Sequence, residues 1–131
     1  MEPSAAAISS LPIILVVDDD PAFCAIMQEI LKMYRVQVYT AHSASEAFDL
    51  LGQVTPDLIL ADVMMPETDG LTLVRRIRSE RTFAGVPVIV VSAGVTSREQ
   101  AAALQAGADQ FLPKPFSLHE LEAAVGPILP N

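Results

Sequence analysis

Residues 14–21, ILVVDDDP, run without interruption from four apolar side chains into three carboxylates and then a proline. A strand with one wet face alternates apolar and polar residues. A strand covered on both faces of a parallel sheet reads instead as a continuous run rich in Val, Ile and Leu. Ile13–Val17 is of the second kind, and so are Leu58–Ala61 and Val86–Val91. Val36–Thr40 (VQVYT) alternates more and reads as an edge strand, and QFLPK (110–114) as a fifth, weaker one.

Helices fill the intervals. Asp20-Pro21 is a capping side chain followed by proline at the first helical position, and Phe23, Ile26, Met27, Ile30 and Leu31 then recur at helical spacing. Ser/Thr-x-x-Glu/Gln capping patterns begin at Ser43, Ser97 and Ser117. Asp69-Gly70 precedes LTLVRRIRSE, whose Leu71, Val74 and Ile77 share a face, and Gly52 and Gly107 stand where helices end. Strand and helix thus alternate five times. Right-handed crossovers then give a doubly wound α/β fold, with five parallel strands, five helices and the order 2-1-3-4-5.

The gross numbers exclude several classes. A chain of 131 residues, 51% hydrophobic and 18% charged, is one domain with a real core rather than a disordered segment. Sixteen acidic against eight basic residues argue against a nucleic-acid surface. The single cysteine, Cys24, fits a reducing compartment and reads as a small core residue. Residues 1–11 lack the basic start of a signal peptide and read as a flexible tail before a domain spanning 12–129. The uncharged stretch to Val17 is shorter than the about 20 residues of a membrane span. A cytoplasmic protein without membrane contact is expected, either standing alone or as the amino-terminal piece of a longer one.

In doubly wound sheets, ligands bind beyond the carboxyl ends of the strands. The first strand ends in Asp18 and Asp19, the third in Asp62, the fourth in Ser92 and the fifth in Lys114. With strands 1 and 3 adjacent, their acids meet. Asp20 is accounted for as the helix cap. An all-oxygen carboxylate cluster suits Mg²⁺. A cation, a lysine and a hydroxyl around one carboxylate are what phosphoryl transfer requires, with Asp62 as the nucleophile.

VVDDDP (16–21), DVMMPETDG (62–70), VVSA (90–93) and LPKPF (112–116), in this order, resemble the receiver domains of two-component response regulators, the CheY-like branch of the flavodoxin-like fold, over about Ile13 to Val125. The resemblance implies that Asp62 accepts phosphate from a phosphohistidine of a sensor histidine kinase or a histidine phosphotransfer protein. It implies Mg²⁺ ligation by Asp19 and Asp62, by Asp18 through water, and by the backbone carbonyl of Met64. Ser92 becomes the switch hydroxyl and Lys114 the phosphate-binding lysine, before a cis bond to Pro115. Phe111 takes the aromatic switch position, without the hydroxyl of the commoner tyrosine. Phosphorylation then alters the surface of strand 4, helix 4, strand 5 and helix 5, which would meet an output domain, a partner protein or a second copy. Such a domain catalyses only its own phosphorylation and dephosphorylation. Met64, two residues after Asp62, places a bulky apolar side chain where the hydrolytic water approaches.

Three other readings compete. A haloacid-dehalogenase-like phosphatase would use Asp18 as nucleophile and Asp20 as acid/base, but expects a late acidic pair where only Asp109 precedes Lys114, and leaves Asp62 idle. A pseudo-receiver, an interaction module without phosphorylation, has no need of the full set Asp18, Asp19, Asp62, Ser92 and Lys114. A nucleotide- or flavin-binding domain lacks its Gly-rich loop after the first strand. Arg75, Arg76, Arg78 and Arg81 read as a solvated helix end, favourable near a helix carboxyl terminus, and His42 and His119 as exposed.

Overall fold

Five strands, β1 (Ile13–Val17), β2 (Gln37–Ala41), β3 (Leu58–Ala61), β4 (Val88–Ser92) and β5 (Gln110–Pro113), pair in parallel in the order 2-1-3-4-5. The computed structural model describes residues 11–65 and 70–129. Five helices alternate with the strands: α1 (Pro21–Leu31), α2 (Ala44–Leu51), α3 (Gly70–Ser79), α4 (Ser97–Ala106) and α5 (Leu118–Val125), with a 3₁₀ turn at Lys32–Tyr34. The tail read over 1–11 lies, except for Leu11, outside the described residues, as do the helix start at Asp69 and the Pro66–Asp69 part of the second motif.

The unbroken apolar strands now have their reason. Successive side chains point to opposite faces, and both faces are covered. Leu15, Val17, Ile59, Ala61, Val88 and Val90 pack under α2, α3 and α4. Ile14, Val16, Leu58, Leu60, Ile89 and Val91 pack under α1 and α5 with Cys24, Met27 and Leu121. β2 is an edge, with only Ala41 fully buried. The α1 stripe divides: Met27 and Leu31 enter the core, whereas Ile26 is 56% exposed. No described helix is long and apolar enough to cross a membrane.

Several boundaries shift by a residue or two: β2 runs one residue later than Val36–Thr40, β4 ends at Ser92 rather than Val91, and β5 stops at Pro113 rather than Lys114. The fourth strand starts at Val88 rather than Val86, because Pro87 has no N–H to give and the Val86 carbonyl is taken by Arg78. α4 is capped by Thr96 with Glu99, one residue before the expected Ser97 pattern. A carboxylate in the first turn answers the helix dipole, which the neutral Gln100 cannot do.

The larger correction concerns the arginines. Arg78 is mostly withdrawn from solvent, its side chain 21% exposed. Its guanidinium donates to the carbonyls of Gly107 (2.8 Å), Val86 (2.6 Å) and Ala84 (3.1 Å), and to Asp109 Oδ2 (2.6 Å), which also accepts the Val88 N–H. One fork thereby ties α3 to the C-cap of α4 and to the amino ends of β4 and β5. Gly107 is required there: its φ is +122°, and a Cβ would lie 2.6 Å from Arg78 Cγ. Arg76 lies over the Phe48 ring at 3.8 Å. Arg78→Ala strips donors from several partly buried acceptors, and a loss of about 3 kcal/mol is expected in urea unfolding. Arg78→Lys keeps the charge without the fork and should recover less than half. Wild-type stability for either variant would refute the clamp.

Candidate functional site

Backbone ladders launch the site residues. Asp18 N–H donates to Ala41 O, Asp62 N–H to Val17 O and Lys114 N–H to Ser92 O, all at 2.9 Å, so each pairing continues one residue past its strand. The register sets Val17 beside Ala61 and Ser92 beside Pro113. The side chains that follow therefore leave one rim from rigid supports. At the opposite rim acids have another use: Asp57 accepts the Ile13 N–H, and Asp109 accepts the Val88 N–H and pairs with Arg78. That placement removes Asp109 from the chemistry a phosphatase would ask of it.

Asp18 and Asp62 are 1% and 7% exposed, and Ser92 is fully buried. Ser92 Oγ donates to Asp62 Oδ1 at 2.7 Å, and the Met64 N–H donates to the same oxygen at 2.8 Å. Lys114 Nζ donates to Asp18 Oδ2 at 2.5 Å and to Asp62 Oδ2 at 3.3 Å. Asp18 Oδ1 accepts the Asp20 N–H, while Asp20 caps α1 through Ala22. The three consecutive acids thus have separate fates: Asp18 is buried on the lysine, Asp19 is exposed at the rim, and Asp20 starts the helix.

Electrostatics follow from burial. Burial pushes the Asp18 carboxyl above its ordinary range, and Lys114 only partly offsets this. Burial alone would lower Lys114, but the Asp18 and Asp62 carboxylates outweigh it and hold the ammonium above its usual value. Cys24, buried with its thiol toward the Asp18 carbonyl, is pushed up to about 11 by burial and by the charges of Asp18 and Asp20. It is a core residue, with no thiolate to offer near neutral pH.

Carboxylate oxygens of Asp18, Asp19 and Asp62 lie within 4.8 Å of one another. With no thiol or imidazole among them, the donor set fits a hard divalent cation such as Mg²⁺. Phe111 is half-buried, paired with Val90 and packed against the α2–α3–α4 side of the core. His42 and His119 are exposed. The Lys114–Pro115 bond is cis.

Reading the sequence did not single out Phe23 for the site. Its ring lies under the Lys114 ammonium, 3.9 Å from centroid to Nζ, and meets Phe116 edge-on at 6.2 Å. Both rings line an apolar groove of about 440 Å³, together with Ile26, Ile30, Pro115 and Leu118, and Lys114 forms part of its wall. The helical spacing of Phe23 suits a core residue equally well, so only the fold could distinguish them.

The response regulator receiver domain family matches residues 14–126. Response regulator MprA of Mycobacterium avium (strain 104) is 42% identical over 116 residues, 88% of this chain and 50% of that protein. The chain therefore spans about half the length of the curated relatives it matches. Among solved structures, the signal receiver domain of a signal transduction histidine kinase from Syntrophus aciditrophicus is 32% identical, with a TM-score of 0.82 over 90% of this chain and 89% of that one. A response regulator receiver protein from Pseudomonas putida is 30% identical, with a TM-score of 0.83 over 90% and 98%. The chemotaxis protein CheY4 of Vibrio cholerae, 23% identical with a TM-score of 0.85 over 92% and 100%, bears on the fold alone.

Proposed function

The chain belongs to the response regulator receiver domain family, and from that premise we propose that it is a cytoplasmic, phosphate-accepting module of a two-component system, with Asp62 as acceptor. One observation carries this reading: a buried carboxylate at a strand end is held between a hydroxyl and a lysine, beside two further acids.

In this reading an Asp62 oxygen attacks the phosphorus of a phosphohistidine. A P–O bond forms, the P–N bond breaks, and the imidazole leaves. Met64 N–H and Ser92 Oγ orient the attacking carboxylate. Lys114 supplies positive charge on the side of Asp18 and Asp62, and turns from them toward the incoming phosphoryl oxygens. Mg²⁺ held by Asp18, Asp19, Asp62 and the Met64 carbonyl would supply the remaining neutralisation that lets two anions approach. Ser92 follows the phosphoryl group, and Phe111, packed on the same side of the sheet as α4, passes the change to the β4–α4–β5–α5 surface. The output domain, partner protein or second copy that reads this surface belongs to the same proposal.

The groove beside α1 supports a protein phosphodonor. Ile26 and Leu118, 56% and 59% exposed, give it an apolar rim, and Lys114 is common to groove and acid site. A helix of a histidine kinase or phosphotransfer protein seated there would bring its imidazole to Asp62. The test is direct: acetyl phosphate with Mg²⁺ should add one phosphoryl group to the intact mass, and omission of Mg²⁺ should prevent it. If neither acetyl phosphate nor a beryllofluoride mimic is taken up, the pseudo-receiver reading replaces this one.

Release of the phosphate is expected to be slow. Met64 is 53% exposed while its own N–H is fixed to Asp62, so its side chain begins at the mouth of the site. Met64→Asn and Met64→Glu replace an apolar cover with a group able to hold water. Phosphate loss several-fold faster than in wild type is expected from decay of the intact-mass signal. Equal decay rates would remove Met64 from the account.

A further inference from the structure

We propose that Phe23 is a positioning residue for Lys114, and that it links the donor groove to the acid site. The inference rests on the phosphate-accepting reading for its functional half only. An ammonium has three donors. Two of them reach Asp18 Oδ2 and Asp62 Oδ2, and the remaining flank of Nζ lies over the Phe23 ring at 3.9 Å. The negative face of an aromatic ring attracts a cation without accepting a directed hydrogen bond. Phe23 therefore fixes where the ammonium sits while leaving its N–H groups free to turn from the carboxylates to a phosphoryl oxygen. A carboxylate in that place would compete for the same donors.

The ring is itself held. Phe116 meets it edge-on at 6.2 Å, an arrangement that aromatic quadrupoles favour. Phe116 lies two residues after Lys114, and Phe23 lies three after the cap residue Asp20. The pair thus fastens the start of α1 to the β5–α5 connection, at the point where the groove opens. A donor seated in the groove covers both rings and removes water from that flank of Lys114. A cation–π contact strengthens on desolvation, so docking would fix the lysine when the phosphoryl group arrives.

The chain contains two lysines, Lys114 and the exposed Lys32, so ¹³C-lysine labelling yields two side-chain signals and an internal reference. Ring-current shielding should displace the Lys114 ε-protons upfield of those of Lys32, without metal or phosphodonor. Phe23→Tyr should keep the displacement and Phe23→Leu should abolish it, with thermal melting checking that each variant is folded. With acetyl phosphate and Mg²⁺, Phe23→Leu should lose about tenfold in the maximal rate of mass gain, little of it through the donor concentration giving half that rate, and Phe23→Tyr should stay within about twofold. An unshifted Lys114 signal in wild type, or the same shift in Phe23→Leu, overturns the positioning. A lost shift with an unchanged phosphorylation rate overturns the functional half. If wild type takes up neither phosphate nor beryllofluoride while the shift behaves as described, the positioning stands and the phosphate-accepting reading is what fails.

Discussion

Asp62→Asn is expected to abolish the Mg²⁺-dependent gain of one phosphoryl group, leaving only unmodified mass after incubation with acetyl phosphate. The substitution is nearly isosteric, and its amide oxygen can still accept from Ser92 Oγ and Met64 N–H, the two bonds that hold Asp62 Oδ1. The fold should therefore survive, and removing one of three clustered carboxylates relieves repulsion at the rim. Nucleophilicity, one cation ligand and the 3.3 Å bond from Lys114 to Oδ2 are lost, and an amide does not attack phosphorus. Asp19→Asn provides the contrast: the acceptor stays, and the expected change is a need for more Mg²⁺. The experiment also decides against the phosphatase. There Asp18 attacks and Asp20 handles the proton, but Asp20 is committed to the Ala22 N–H and Asp109 to Arg78 at the far rim. Turnover of a phosphate ester surviving Asp62→Asn and lost in Asp18→Asn would reverse the assignment.

What could be read in the sequence follows from which forces are local. Strands buried on both faces announce themselves by unbroken β-branched runs, so β1 and β3 were legible to the residue. Their order brings the residues after them to one rim, and Asp18, Asp62, Ser92 and Lys114 are found there in mutual contact. The cap at Asp20 is equally local. What escaped is what two distant segments make together. The Phe23 ring gains meaning only when Lys114, 91 residues later, lies over it. Arg78 looked like a solvated helix-end cation until the chain folded Gly107 and Asp109 against it. The α4 cap shifted by one residue because Thr96 and Ser97 both satisfy the pattern, and the choice turns on whether the partner three residues on is charged.

Lys114→Met should be the most destabilising change at the site, costing about 3–5 kcal/mol near pH 7.5 in the absence of Mg²⁺. The Lys114 and Asp18 side chains are 18% and 2% exposed, so the carboxylate is buried under a partly buried ammonium, and removing the lysine leaves it uncompensated. Methionine fills similar volume over the Phe23 ring, which confines the loss mainly to charge. The pH dependence gives the effect its signature. Lys114 is held above its ordinary value, so its contribution is complete below about pH 10 and is lost only as the pH rises through its folded value. Asp18 is already raised by burial, and without the lysine it must rise further. A carboxyl whose folded value exceeds its unfolded one takes up a proton more readily in the folded state, so stability returns as the pH falls toward and through that value. Urea unfolding at pH 5 should therefore show a smaller penalty than at pH 7.5. Millimolar Mg²⁺ should restore part of the loss at pH 7.5 by binding only the folded acids. A penalty below about 1 kcal/mol, or one equal at both pH values, would mean that water already solvates Asp18 and that Lys114 is a surface charge.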